Sequence, residues 1–156
     1  MRPLPLAALA VFAADQISKF LVVQVLELDR RQEIDVLAPF LRFRMAWNQG
    51  INFGLLSNTA DLARWLLIAL ALAIAAWIWR WSRREPGNRP VQISGGLLIG
   101  GALGNVIDRL LYGAVADFIN MSAPGFDNPY SFNIADIAIF FGALGLVIFS
   151  GRDKTP

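Results

Sequence analysis

Four apolar stretches, at about residues 4–26, 62–81, 93–111 and 134–150, each come close to the roughly 20 residues that an α-helix needs to cross the hydrocarbon core of a bilayer. In hydrocarbon, backbone N–H and C=O groups must be satisfied inside the chain, so stretches of this kind fold as helices. The expectation is an all-α membrane protein with four transmembrane helices, residues 1–156 forming one integral-membrane domain with outer loops at about 27–61 and 112–133. Composition agrees: 56% of the 156 residues are hydrophobic and the mean hydropathy is +0.50, far above the usual soluble domain. The first stretch opens like a cleavable signal, with Arg2 and the small residues Ala13 and Ala14, but its apolar pattern resumes at Ile17 and continues through Val25. It reads as a span.

The basic residues set the direction. Arg80, Arg83, Arg84 and Arg89 crowd the short link between spans two and three, and Arg2, Arg152 and Lys154 mark the two ends. By the excess of positive charge in cytoplasmic loops, both termini and the middle link face the cytoplasm. The opposing arginines, Arg30, Arg31, Arg42 and Arg44, are spread over a long outer loop. Trp65 at one end of span two and Trp77, Trp79 and Trp81 at the other fit interfacial belts. A net charge of +2 and a pI near 9.5 do not argue for nucleic acid, because the arginines flank apolar runs instead of forming a basic face.

Within the first outer loop, Leu41, Phe43, Met45 and Trp47 alternate with Arg42, Arg44 and Ala46. That period of two predicts a strand, hence a small extracytoplasmic sheet, with Phe43 and Trp47 turned to lipid or substrate or merely anchoring the loop.

The chain has no histidine and no cysteine. Disulfides, thiolate catalysis, Ser-His dyads and most catalytic metal sites are thereby excluded, and acid/base chemistry falls to carboxylates; no metal and no cofactor are expected. Asp117 and Asp136 bracket the polar gap between spans three and four, and the topology brings them to the same membrane face. Asp136 follows Asn133 at the opening of a helix, where the acid reads either as part of a capping box or as part of a site. Asp15 and Lys19, one turn apart on span one beside Gln16, form either a structural ion pair or part of a site. Asn105, Asp108 and Arg109 close span three. Arg109 there either orients an acid or a peptide carbonyl, or reaches lipid headgroups with Asp108 as its partner. Asn48, Gly50, Phe53 and Gly54 precede span two at the same level, the glycines permitting close backbone approach. Pro124, Gly125 and Pro129 suit either a mobile lid or an ordinary loop. Gly96, Gly100 and Gly104 clear one face of span three for helix contact.

Five ordered blocks carry a family resemblance: Asp15-Gln16-x-x-Lys19; Asn48-x-Gly50 followed by Phe53-Gly54; Gly100-Gly101-Ala102-Leu103-Gly104-Asn105-Val106-Ile107-Asp108-Arg109; Val115-x-Asp117-Phe118; and Phe132-Asn133-x-Ala135-Asp136. In these the chain resembles the lipoprotein (prolipoprotein) signal peptidases, the signal peptidase II family. Ala116 departs from the valine common at its place. The resemblance implies an aspartic endopeptidase of the bacterial inner membrane, monomeric, with a strand-built cradle and a periplasmic loop or short helix over the site. It implies Asp117 and Asp136 as the catalytic pair, ordered by Asp15, Lys19, Asn48, Gly50, Gly54, Asn105, Asp108, Arg109 and Asn133. The implied partners are membrane lipids and a diacylglyceryl-modified prolipoprotein, cut immediately before its lipidated cysteine.

Two rival readings use the same residues. A Ser-Lys peptidase would employ Lys19 as base, but Ser18 adjoins Lys19 and points away from it, and Ser57, Ser122 and Ser131 lie in loops. A small proton-coupled four-helix transporter would use a deep acid such as Asp15, yet needs neither the long outer loop nor an acid pair at the interface.

Overall fold

The computed structural model describes residues 2–50, 59–84 and 86–150. Helix α1 (Pro3–Lys19) starts on a proline, tolerated where the amide has no helical partner, and continues as a π-helical segment, Phe20–Val25. A short α2 (Leu28–Arg31), strands β1 (Glu33–Leu37) and β2 (Leu41–Asn48), the long helices α3 (Thr59–Ser82) and α4 (Arg89–Tyr112), strand β3 (Val115–Met121) and helix α5 (Ile134–Phe149) follow.

Three helical runs are long and apolar enough to cross a membrane: Pro3–Val25, Asp61–Ser82 and Arg89–Tyr112. Helix α5 is apolar but has 16 residues, about 24 Å at 1.5 Å per residue, against a hydrocarbon core of about 30 Å. Large apolar side chains such as Leu9, Ile17, Leu66, Phe140 and Val147 cover the outside of the bundle, as expected where lipid is the solvent.

Helix α4 is the axis of the bundle, and its glycines explain how. A Cβ at Gly96 would lie 2.5 Å from the Leu4 carbonyl oxygen of α1, and one at Gly101 would lie 2.5 Å from the Ala135 carbonyl oxygen of α5. Neither backbone could come so near a larger residue. At its far end α4 stops at Gly113, whose φ of +79° no β-carbon-bearing residue adopts cheaply. Its N–H bonds the Arg109 carbonyl at 3.1 Å, and the chain turns directly into β3.

The sheet is antiparallel with order β1-β2-β3. In its register Ala46 faces Asp117 and Asn48 faces Val115, with an irregularity between Phe43 and Ala46. One apolar core, including Leu4, Ile78, Val91 and Ile99, fills the end of the bundle near the α3–α4 link. A second, Val22, Val23, Leu28, Met45, Ala116 and Phe118, joins the sheet to the π-helical segment.

Three expectations change. Segment 115–121 is a strand, not loop, and Asp117 stands on it. Phe43 is turned into the protein, its ring edge-on to Phe118 at 5.7 Å between centroids; Trp47 does remain 40% exposed. The stretch holding Pro124, Gly125 and Pro129 is tied down: fully buried Asn120 donates from Nδ2 to the carbonyls of Asn128 (2.8 Å) and Tyr130 (2.9 Å). Phe53 and Gly54 of the expected pocket, and Arg152 and Lys154, lie outside the described residues.

Candidate active site

Asn133 is the junction of the site. It is fully buried, and as N-cap of α5 its Oδ1 accepts from the Asp136 N–H at 2.9 Å, while its own N–H donates to Asp136 Oδ2 at 3.2 Å. This is the reciprocal capping box, which satisfies helix-end donors. The same residue donates from Nδ2 to Asp117 Oδ1 at 2.6 Å. A cap and a site are therefore one arrangement, and both carboxylates hang on one asparagine.

The remaining acid oxygens are also held. Asn48, at the end of β2, donates from Nδ2 to Asp117 Oδ2 at 3.0 Å, and its Oδ1 accepts from the Gly50 N–H at 2.9 Å. Gly50 itself sits at φ +88°, where glycine is needed for the turn. Asn105 of α4 donates from Nδ2 to Asp136 Oδ1 at 3.0 Å. Asp117 is 3% exposed. Burial and the neighbouring Asp136 carboxylate push its carboxyl up to about 6, against the amides of Asn48 and Asn133 and the Lys19 ammonium, which favour the charged form.

Behind the pair lies a buried charge cluster. Lys19 Nζ stands 2.8 Å from Asp15 Oδ2 and 2.7 Å from Asp108 Oδ2, and also donates to Asn105 Oδ1 at 3.4 Å. One ammonium between two acids leaves a net negative cluster, compensated by further donors. Gln16 Nε2 reaches Asp15 at 3.2 Å and Asp108 at 3.1 Å, and the N–H groups of Ala135 and Ala116 donate to Asp15 Oδ1 (3.0 Å) and Asp108 Oδ2 (3.1 Å). Those two amides adjoin Asp136 and Asp117 in the chain. The cluster thus fixes the backbone on which each acid of the pair is mounted.

Of the two readings of Arg109, the ion pair with Asp108 is not found. Asp108 pairs with Lys19, and Arg109 makes no ion pair within 4.0 Å among the described residues. Its Nη1 donates to the Asn105 carbonyl at 3.3 Å and its buried Nε has no hydrogen-bond partner. It stands within electrostatic range of Asp117, Asp136 and Asp108. Among the described residues no group of three or more acids is set to hold a metal ion. Ser18 Oγ donates to the Asp15 carbonyl at 2.8 Å, away from Lys19, which removes the Ser18-Lys19 dyad.

The structure brings together Asp15, Lys19, Asn48, Gly50, Asn105, Asp108, Arg109, Asp117, Asn133 and Asp136. Sequence reasoning missed Asn120, which secures the segment returning from β3 to α5; a lone asparagine in a strand carries no periodic signal.

Fold and site together describe a helical membrane protein carrying a linked aspartate pair, one acid on strand β3 and the other in the first turn of α5. The family model described as Signal peptidase (SPase) II matches residues 7–151. A lipoprotein signal peptidase of Methylobacterium sp. (strain 4-46) is 41% identical over 151 residues, covering 95% of this chain and 90% of the relative. That of Methylorubrum extorquens (strain PA1) is 44% identical over 147 residues, covering 94% and 84%. Two solved structures of bacterial membrane enzymes superpose with TM-scores of 0.78 and 0.75 at 29% and 28% identity, covering 96% and 97% of this chain and 92% of each of the others. The chain belongs to the signal peptidase II family.

Proposed function

We propose that this chain is an aspartic endopeptidase that removes the signal peptide from diacylglyceryl-modified prolipoproteins, cutting before the lipidated cysteine, with Asp117 and Asp136 as the catalytic pair. The observation that carries the reading is Asn133, whose side chain and backbone donate to the two carboxylates at 2.6 and 3.2 Å. Two carboxylates held on one asparagine do not both ionise readily, so one keeps a proton while the other acts as base. The pair titrates as a unit, and the proton belongs to the two carboxyls together. In the first step the ionised member of the pair takes a proton from water, and the resulting hydroxide adds to the scissile carbonyl carbon. The proton kept by the other carboxyl supports the carbonyl oxygen. Collapse of the tetrahedral adduct breaks the C–N bond, and a proton passes to the departing amine. Arg109, free of an ion pair among the described residues, positions the carbonyl or an acid with its planar donor set.

The same reading takes α5 as a fourth span, places the site at the extracytoplasmic face of the bacterial inner membrane with both termini in the cytoplasm, and treats the monomer as the active unit. Binding of the substrate's acyl chains by the bilayer confines the cleavage site to the right depth, so recognition is partly geometric. Asp15, the deep acid that the transporter reading would use, is bonded to Lys19, Gln16 and the Ala135 amide, and that reading leaves the linked aspartate pair without a role.

The test uses one precursor with and without its diacylglyceryl group, incubated with purified protein in lipid. The lipidated form should be cut at least tenfold faster, a modest demand on confinement given known effective molarities. Equal rates would contradict the substrate assignment.

A further inference from the structure

The end of the bundle opposite the aspartate pair holds a cavity of about 640 Å³ between the start of α1, the end of α3 and the start of α4, lined by Arg2, Leu4, Trp79, Ser82, Arg83 and Gln92. That volume lies within the roughly 300–1,000 Å³ of small-ligand sites. A second cavity of about 850 Å³ shares Arg2 and Pro3 with it and adds Arg89, Leu6 and Ile93. Arg2, Arg83 and Arg89 form no ion pair with any carboxylate among the described residues. Ser82, on the inner wall, is fully buried and its hydroxyl has no hydrogen-bond partner, a costly state for a polar group.

Positive charge alone at this end is what topology requires. The shape of the lining says more. Leu6 and Ile93, 50% and 46% exposed on the outside of α1 and α4, continue the arginine-lined space along the apolar surface of the bundle. A cationic mouth that runs into a lipid-facing apolar wall complements a molecule with a phosphate at one end and acyl chains at the other. Trp79, at the rim, has the amphipathic ring suited to headgroup depth.

We propose that this paired cavity is a binding site for an anionic phospholipid of the adjoining leaflet, its phosphate held by Arg2 and Arg83 and its acyl chains lying along Leu6 and Ile93. The site is separate from the aspartate pair and its occupant is not cleaved.

The experiment is native mass spectrometry of the delipidated full chain with dioleoyl-phosphatidylglycerol, dioleoyl-phosphatidylcholine or inorganic phosphate. Two phosphate-facing arginines should give the wild-type chain about a tenfold preference for phosphatidylglycerol over phosphatidylcholine, and inorganic phosphate at equal concentration should not displace the lipid. The double variant Arg2→Gln/Arg83→Gln should lose that preference. Arg80→Gln/Arg84→Gln removes the same charge from the same end without touching either large cavity and should keep it. Equal retention of the two lipids by wild type, a measurement that needs no variant to fold, would overturn the site. Equal losses in the two double variants would reduce it to general surface attraction, and displacement by inorganic phosphate would make it a phosphate site and not a lipid one.

Discussion

At the residue scale, the raised carboxyl of Asp117 makes the proposed catalysis and the stability of the fold both fall as pH rises. Its ordinary value of 3.8 becomes about 6 in the folded protein, so the folded state holds this proton more firmly than the unfolded one. Stability contributed by the group is therefore present at pH 4 and lost as pH rises through about 6, by roughly 3 kcal/mol from a shift of this size. Asparagine at 117 cannot ionise, so the melting temperature of Asp117→Asn should gain on wild type between pH 4 and pH 7. A gap that stays constant across that range would mean the carboxyl is not raised. The one-proton form of the pair is lost over the same interval, and kcat/KM should decline on the alkaline side from about pH 6. At this scale much of the site was legible, because acids are expensive near a membrane core and few residue types remained to do chemistry. The partners of Arg109 and Asp108 were not, since adjacent residues on a helix project about 100° apart and only the neighbouring helix decides which one meets Lys19.

At the element scale, α4 holds the site together: it supplies the glycines for α1 and α5, the acid that holds the Ala116 amide, and the turn at Gly113. Lys19 is the counter-charge on which this assembly rests, 7% exposed between Asp15 and Asp108. Lys19→Met would leave both acids buried without it and should cost about 3–5 kcal/mol, the usual penalty for removing one member of a buried pair. Thermal unfolding in detergent measures this, and an unchanged midpoint would show that the cluster adds nothing to the fold. The helices were readable from apolar length, and β2 from its alternation. Strand β3 escaped because Val115 to Phe118 is buried on both faces, which erases the period of two. Nothing in Val-Ala-Asp-Phe distinguishes such a strand from a loop until β2 and the returning Phe132 bond to it.

At the scale of the whole molecule, the aspartate pair and the basic residues Arg2, Arg83 and Arg89 lie at opposite ends of the bundle. The chain has no native cysteine, so single substitutions report sidedness cleanly. In inverted and right-side-out vesicles, Arg84→Cys should react with an impermeant maleimide only from the cytoplasmic side and Tyr130→Cys only from the opposite side; the reverse pattern would invert the topology. The most direct test of catalysis by Asp117 and Asp136 follows a lipidated precursor by mass spectrometry with wild type, Asp117→Asn and Asp136→Asn at matched membrane insertion. Wild type should release the signal peptide with a break immediately before the modified cysteine, and neither variant should yield product above background. Near-normal turnover by either variant would contradict catalysis by the pair.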